Sequence, residues 1–508
     1  MPKSFRSWSL LWLLVLAALS AIVFLPGLRG GYFADDYCYY FYPPSSKLLY
    51  YFTHQNPGSI IYRPLLSTFL AGVQSVWGME PLPIHLMNLL CHVVLSWLVA
   101  QTVVRLGYTR MQAMIGSLFL LVGQITTYAV LGIDTLSQVG GVLFGSLSAW
   151  LLFFPGRMLP ESEAIESGVN EAPRPIPRYF LLSLLSFAVS LCLKETSTAY
   201  LGVVGVALLA GNLEQSGRAR AFMRTAVQLL PFILLVTAYM IVRSQFVSQL
   251  PQFGTSRYDM RLGMNIPKNI AMFLAASSTA HSSVTAFVAM HQKDLPMLAM
   301  IAIPALLFAG LLGWGLWRVR HDRPVPVFLL LYFLGFFPII LFNQVSELYI
   351  YNALPFLAVL TGIALGELLR SSTERLPRIA LGIAIVSLIG INIASTWEKS
   401  AQLRFNGERA GDIIEQLRPI VRNAPRGDTV YLLNPPNSTV EYSTFVMNDF
   451  DLLIAGQPGI ASFLGREDLT LEIVAPGDST RNLHATDDSL VLTIRDGRVV
   501  PARDRFPQ

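Results

Sequence analysis

Charged residues are scarce in this chain: 14% of its 508 residues are Asp, Glu, Lys or Arg, where a soluble domain carries about a quarter. The scarcity is confined to one part of the chain. Residues 1–394 hold 25 Lys/Arg and 16 Asp/Glu, whereas residues 395–508 hold 12 and 16, which is the soluble norm of about a quarter. A chain that is 53% apolar and so poorly charged is not a soluble enzyme, a fibrous protein or a disordered one.

Cysteine is equally scarce, and the three that occur are scattered. Cys91 and Cys192 lie inside apolar runs and Cys38 lies in a loop, so there is no disulfide framework and no cysteine metal-ligand spacing. The net charge of +5 divides into +9 for residues 1–394 and −4 for the tail. The basic excess therefore belongs to the apolar part of the chain and gives no reason to expect a nucleic-acid partner.

Long apolar runs are what the sequence does contain. A bilayer core needs about 20 apolar residues per helix, and eleven windows of roughly suitable length occur, at 8–28, 84–104, 112–130, 136–154, 179–193, 196–210, 225–242, 296–316, 327–343, 352–369 and 379–394. Lys3 and Arg6 precede the first window, which is typical of a signal anchor. A further stretch, 269–290, is interrupted by serines and His281, and we interpret it as re-entrant or interfacial.

Basic residues predict the orientation of these spans. With a cytoplasmic N-terminus, the inside segments hold 16 Lys/Arg and the outer loops only nine, across much longer sequence. Eleven spans then place the tail outside the cytoplasm, as in a multi-pass protein of a bacterial inner (plasma) membrane. The tail combines an amphipathic helix at 397–422 with three strand-like segments, TVYLLN, LTLEIVA and SLVLTI. We therefore expect an all-α polytopic membrane bundle of about 11 helices over 1–394, and a small extracytoplasmic α/β domain over 395–508.

The first outer loop, 29–83, contains adjacent carboxylates at Asp35 and Asp36. One of them can act as a general base toward an attacking hydroxyl; the alternative is a pair of solvated loop acids or a helix cap. Downstream, Arg63 begins a segment to about 77 that is apolar but too short to span, and we expect it to lie along the interface. Arg63 would grip a phosphate with two parallel hydrogen bonds or extend toward lipid headgroups.

Three further polar groups interrupt apolar sequence. His85, Asn88 and His92 share one helix face, as a polar cavity wall or as interhelical hydrogen-bonding groups. Lys194 and Glu195 occupy an outer turn, where Lys194 would neutralise an anionic ligand while Glu195 positions a partner; the alternative is that both merely reach the interface. The third group, predicted at the same outer face, comprises Glu347, Tyr349 and Tyr351.

Taken in order, the motifs FADD, YRPL, PIHLMNLLCH, LKET and SELYIYNALP resemble those of GT-C membrane glycosyltransferases. The resemblance is to the dolichyl-phosphate-mannose–protein mannosyltransferase group, in particular its transmembrane-and-TPR branch and bacterial relatives. It covers about 30–100, 185–200 and 340–358. Two features depart from that pattern: no TPR repeats follow the spans, and the segment after Glu347 lacks the Arg that often follows it in the family.

The resemblance implies transfer of a sugar, such as a mannose-like hexose, from a polyprenyl-phosphate donor to an acceptor hydroxyl, with inversion. Asp35 or Asp36 would be the base, and Arg63 and Lys194 would bind the donor phosphate, with Arg243 and Arg257 in reserve. The acceptor is a protein, a lipid or a glycan, and it is left open whether Mg²⁺ or Mn²⁺ binds at Asp35 and Asp36. Two other classes stay open: a transporter or flippase of lipid-linked saccharides, and a non-catalytic envelope assembly protein.

Overall fold

The structure, a computed structural model, describes most of the chain. The described residues are 3–33, 36–39, 49–54, 62–154, 177–247, 260–342, 346–434, 464–466, 468–474, 490–495 and 497–502, together with Phe450, Ile454 and Ile460.

Helices make up most of the described residues between 3 and 422. The first nine are α1 Lys3–Phe24, α2 Asp36–Tyr39, α3 Tyr50–Thr53, α4 Pro64–Trp77, α5 Leu82–Arg105, α6 Arg110–Val122, α7 Thr127–Leu131, α8 Leu136–Phe153 and α9 Pro177–Leu193. They are followed by α10 Tyr200–Gln215, α11 Arg218–Phe246, α12 Asn265–Ser278, α13 Ser283–Gln292, α14 Leu295–Arg318, α15 Pro324–Leu334, α16 Glu347–Ile350, α17 Leu354–Ser371 and α18 Arg375–Arg422. Short 3-10 turns occur at Gly27–Arg29, Gln124–Thr126, Glu195–Ala199 and Ile339–Leu341.

Within the described ranges, eight helical segments are long and apolar enough to cross a membrane, and α6 with α7 makes a ninth if that pair, bent by 48°, is one span. Two shorter apolar helices, α9 and α15, coincide with the remaining predicted windows. The helical membrane bundle is therefore confirmed, and the count of eleven spans stays a prediction.

Burial separates central from peripheral helices. In both α8 and α17, 78% of the span is buried inside the protein, against 17% for α11 and 11% for α14. Leu230, Leu234, Leu306 and other apolar side chains of the two peripheral helices are exposed, which is the surface expected to face lipid. Polar residues that lie on the central helices are consequently enclosed by protein.

Small residues bring α6 and α17 into close contact. A Cβ added at Gly116 would come 2.5 Å from the Ala358 carbonyl oxygen, so only glycine fits at this crossing. Interfaces between membrane helices are commonly built on such small residues because they let the backbones approach. α6 itself begins with a capping box, in which Thr109 and Gln112 satisfy each other's backbone N–H groups.

The tail forms a four-stranded sheet of β1 Thr429–Leu433, β2 Thr470–Val474, β3 Leu490–Arg495 and β4 Arg498–Pro501, in the order β2-β1-β3-β4. β1 is parallel to both β2 and β3, and β3 is antiparallel to β4. The three predicted strands are confirmed, and β4 was not predicted. α18 runs through 395 without a break, and no Pro or Gly occurs from 391 to 406, so the domain boundary at 395 stays a prediction.

Two predicted interfacial segments form helices. The apolar segment after Arg63 is α4, with Pro64 at its first position. The interrupted stretch 269–290 is divided between α12 and α13, which are separated at Thr279–Ser282. Their depth relative to a membrane stays a prediction.

Candidate functional site

Asp36 fastens the first loop to the turn between α7 and α8. One carboxylate oxygen accepts the Phe33 N–H at 3.1 Å, and the other accepts the N–H groups of Ile133 at 2.9 Å and Asp134 at 3.1 Å. The Asp36 residue is only 2% exposed. Asp36 is therefore a buried, hydrogen-bonded acid and not a solvated one. Asp35, its predicted catalytic partner, lies outside the described residues.

Asp134 is an acid of the site that the sequence interpretation missed. It is buried beside Asp36, at 8% exposure. Burial and the nearby Asp134 carboxyl raise the pKa of Asp36 well above its ordinary value, although the backbone N–H groups oppose this. The signal was present in the sequence, since Asp134 is the lone acid in a short turn between two apolar windows, where an ionisable group calls for a reason.

Arg63 and Glu195 meet across 132 positions of sequence. The guanidinium donates from Nε to one carboxylate oxygen at 2.8 Å and from Nη2 to the other at 2.7 Å, while Nη1 lies 3.4 Å from the Ser137 hydroxyl. Arg63 is buried and the Glu195 side chain keeps 30% exposure. Arg63 thus makes two parallel bonds to a carboxylate, and its predicted contact with a phosphate stays a prediction.

Lys194 is enclosed within the same group of charges. It is 4% exposed, in the turn between α9 and the 3-10 segment Glu195–Ala199, and its Nζ lies 5.8 Å from the centre of the Tyr349 ring. Burial and the Arg63 charge lower the pKa of Lys194 to about 7, against the attraction of Glu195 and Asp134. A cation held in this state can respond strongly to an anion that binds beside it.

The three polar residues predicted on one face of α5, His85, Asn88 and His92, form hydrogen bonds that hold neighbouring segments in place. Asn88 Nδ2 donates to the Gly132 carbonyl at 2.6 Å, and His85 Nε2 lies 3.3 Å from the Gly30 carbonyl. His92 Nε2 lies 3.1 Å from the Leu121 carbonyl and Nδ1 lies 2.7 Å from the Tyr351 hydroxyl. Since a carbonyl only accepts, His92 carries its proton on Nε2 and accepts the Tyr351 hydrogen bond at Nδ1. That these residues also line a cavity stays a prediction.

The segment that contains Glu347, Tyr349 and Tyr351 also contacts the site. The Tyr349 ring faces Lys194. Three residues further along the chain, Asn352 is hydrogen-bonded to Gln138 of α8. Glu347 forms an ion pair with Lys399 of α18, a residue that the sequence interpretation assigned no role. Its signal was a lone lysine in the first turn of the predicted amphipathic helix, shortly after the last apolar span.

Arg243 and Arg257 are the two further cations that the sequence offered for the donor phosphate. Arg243 is half-buried in the last turn of α11, and Arg257 lies outside the described residues. Among the residues that the structure describes, no three His, Cys, Asp or Glu side chains converge on one point. Both oxygens of Asp36 accept backbone N–H groups and Asp35 lies outside the described residues, so whether Mg²⁺ or Mn²⁺ binds at this pair is left open.

The bundle, its loop cluster and the small tail sheet define a GT-C-like membrane fold. Two crystal structures of ArnT from Cupriavidus metallidurans share it: the apo form has a TM-score of 0.54 at 12% identity and covers 100% of both chains. The form bound to undecaprenyl phosphate has a TM-score of 0.51 at 12% identity, covering 98% of this chain and 99% of that chain. The archaeal oligosaccharyltransferase AglB from Archaeoglobus fulgidus, in complex with an inhibitory peptide and a dolichol-phosphate, gives 0.45 at 11% identity over 93% of this chain and 65% of that chain.

Sequence comparison adds nothing to this structural likeness. No known family model matches the chain, and no curated protein does. The likeness to ArnT therefore establishes the fold.

Proposed function

We propose that the protein is a glycosyltransferase that moves a sugar from a polyprenyl-phosphate donor to an acceptor hydroxyl. The observation that carries the proposal is the convergence of Lys194 with Asp134 and Asp36 among the loops of a fold shared with ArnT, one of whose structures contains undecaprenyl phosphate. A buried cation can stabilise the negative charge of a departing phosphate. A nearby carboxylate can take up the proton of an attacking hydroxyl.

Lys194 is the cation that we assign to the donor phosphate. As the bond between C1 of the sugar and the phosphate oxygen breaks, negative charge grows on the departing phosphate, and a fixed cation stabilises that charge most. Arg63 would act on the phosphate through its positive charge and not through two direct hydrogen bonds, because its Nε and Nη2 already donate to Glu195. Glu195 thereby fixes Arg63, and Arg63 fixes the turn that presents Lys194.

Asp35 is the base that we assign within the acidic pair. Asp36 accepts three backbone N–H bonds and is better suited to holding the loop than to taking up a proton from a substrate. In the proposed step, the acceptor oxygen bonds to C1 as its proton passes to the Asp35 carboxylate. The bond to the phosphate breaks with its electron pair leaving on the phosphate oxygen. Attack opposite the departing group inverts C1.

A hexose of mannose type is the donor sugar that the sequence resemblance favours, and the acceptor is a hydroxyl of a protein, lipid or glycan. The site end of the bundle, defined by Asp36, Arg63, Asp134, Lys194 and Tyr349, would face away from the cytoplasm, as the distribution of basic residues indicates. The spans would shelter the prenyl chain in the membrane.

The proposal is tested with the full chain in lipid nanodiscs and a panel of radiolabelled polyprenyl-phosphate sugars. We expect release of prenyl phosphate from one donor class, and its loss in Lys194→Met. Arg418→Met, an exposed residue paired with Glu415 far along α18, is the matched control and should retain turnover. Absence of release from every donor, with saccharide transport across liposomes that survives Lys194→Met, would replace the transferase with a transporter.

A further inference from the structure

Lys399 of α18 is buried against α16, the short helix that carries Tyr349. It is 2% exposed, it forms an ion pair with Glu347, and its Nζ lies 3.5 Å from the Gln124 side-chain oxygen. Taking two charges out of water is costly, and their attraction offsets that cost only when the geometry is well fixed. The pair therefore holds α16 in one position relative to α18.

The other end of the same short segment reaches the site. From Glu347, α16 leads within two residues to Tyr349, whose ring faces Lys194. Tyr351 then bonds to His92, and Asn352 to Gln138. Residues 347–352 thus connect α18 to the groups around Lys194.

A second contact joins α18 to the opposite side of the site. A Cβ at Gly407 would come 2.5 Å from the carbonyl oxygen of Gly31 and 2.6 Å from its nitrogen, so the two backbones touch. Gly407 lies eight residues beyond Lys399, about 12 Å along the helix axis. Gly31 lies five residues before Asp36, and the Gly30 carbonyl is the partner of His85. α18 therefore contacts both the loop that leads to Asp36 and the segment that carries Tyr349.

We propose that α18 is a positioning helix for the active site, with Lys399 and Gly407 as its two positioning residues. The expected effect on turnover rests on the proposed glycosyl transfer. The claim that α18 fixes the position of the two segments does not depend on it. The same helix is tied to the tail sheet, because the Gln416 side chain accepts the Val499 N–H at 2.8 Å and donates to the Gly497 carbonyl at 3.3 Å. The tail thereby contributes to the geometry of a site that lies in the membrane bundle.

Hydrogen–deuterium exchange of the full chain in nanodiscs tests the structural part. Lys399→Met should raise exchange at 347–352 by about tenfold or more, and Gly407→Ala should raise it at 28–39, because each releases one loop into local opening. Gly411→Ala, on the same helix with no atom within 4 Å of its added Cβ, and Arg418→Met should change neither segment. Exchange that stays at wild-type level in both test variants would overturn the proposal, as would increases that are uniform along the chain.

A charge reversal keeps the test decisive if Lys399→Met fails to fold. The double variant Lys399→Glu with Glu347→Lys restores an ion pair at the same place and should return exchange at 347–352 toward the wild-type level. A folded double variant in which that segment stays open would contradict the positioning role.

Kinetics test the link to the reaction. With a polyprenyl-phosphate sugar that the wild type turns over, kcat of Gly407→Ala should fall roughly 10–100-fold, since displacement of a positioned group by about 1 Å has that effect, while KM changes little. Unchanged kcat despite raised exchange would remove the positioning role. If the wild type releases no prenyl phosphate at all, the glycosyltransferase proposal fails while the exchange result still decides whether α18 fixes the loops.

Discussion

The guanidinium of Arg63 and the carboxylate of Glu195 form two parallel hydrogen bonds, of 2.8 and 2.7 Å, although the residues are 132 positions apart. This pair ties the start of α4 to the turn after α9. It thereby places Lys194, the residue before Glu195, near Asp134, whose carboxyl in turn lies near that of Asp36.

Arg63→Lys should destabilise the protein by about 1.5–3 kcal/mol, because a lysine keeps the charge but cannot make two parallel bonds to one carboxylate. The measurement is thermal unfolding in detergent. Arg370→Lys is the matched control: Arg370 makes the same two-bond contact with Glu367 at 2.8 and 3.1 Å, but its side chain is 68% exposed. Its loss should stay within about 1 kcal/mol. Equal effects in the two variants would contradict the structural role of the Arg63 pair.

Asp36→Asn and Asp35→Asn should separate stability from turnover. Asparagine has one acceptor oxygen, so Asp36→Asn turns an NH₂ toward backbone N–H donors and should cost about 1–3 kcal/mol. Asp35→Asn should abolish release of prenyl phosphate with little change in unfolding temperature. Full turnover in Asp35→Asn would remove its role as base, whatever Asp36→Asn does.

Lys194 should make prenyl-phosphate binding depend on pH. Its pKa of about 7 means that the free protein loses this positive charge as pH rises, so the dissociation constant should increase above pH 7, at most about tenfold per pH unit. Lys194→Arg should bind with a nearly flat profile up to about pH 9, because an arginine stays charged. Titration calorimetry with undecaprenyl phosphate measures both. Identical profiles would show that Lys194 is not the titrating group.

The lowered pKa of Lys194 also makes the stability of the folded protein depend on pH, and stability changes in the opposite direction to phosphate binding. The unfolded chain binds a proton at Lys194 up to an ordinary pKa of 10.5, while the folded chain releases it near 7. The free energy of unfolding therefore decreases as pH falls from about 10.5 to about 7, and titration of this residue changes it little below that range. In Lys194→Met the corresponding slope of unfolding temperature against pH should disappear. A slope of the same size in the variant would assign it to other groups.

Gly116→Ala should destabilise the bundle by about 1–3 kcal/mol, because the added methyl meets the Ala358 carbonyl at 2.5 Å and must displace backbone. Unfolding temperature in detergent measures the effect. Gly390→Ala adds the same methyl to α18 in open space and should be neutral or slightly stabilising. Similar behaviour of the two variants would indicate that α6 and α17 do not cross at Gly116.

Sequence patterns predicted the helices well because apolar runs report membrane spans almost directly. The same reasoning identified Arg63, Lys194, Glu195 and Tyr349 as exceptional residues on one side, and the structure brings them together. Which residues pair could not be read from the chain, since hydropathy gives the depth of Arg63 but no neighbour. The three predicted strands are present because short apolar runs rich in Val, Ile and Thr favour strands.

The missed features depend on tertiary contacts. Lys399 resembles a residue of a solvated helix face until α16 covers it, and the Gly31–Gly407 contact joins two glycines with no local pattern. β4 is different: Asp496-Gly497 is a hairpin signal that precedes it, and Gly497 has the positive φ of 75° that such turns require. Asp134 was likewise within reach of sequence reasoning, as the lone acid of its turn.

The most direct test of the account is an experimental structure of the full chain with bound undecaprenyl phosphate. We predict a phosphate oxygen within about 2.7–3.2 Å of Lys194 Nζ, at the end of the bundle that carries Asp36 and Asp134. A phosphate bound at the opposite end, near Arg105 and Arg370, would contradict the proposed donor site and with it the assigned reaction.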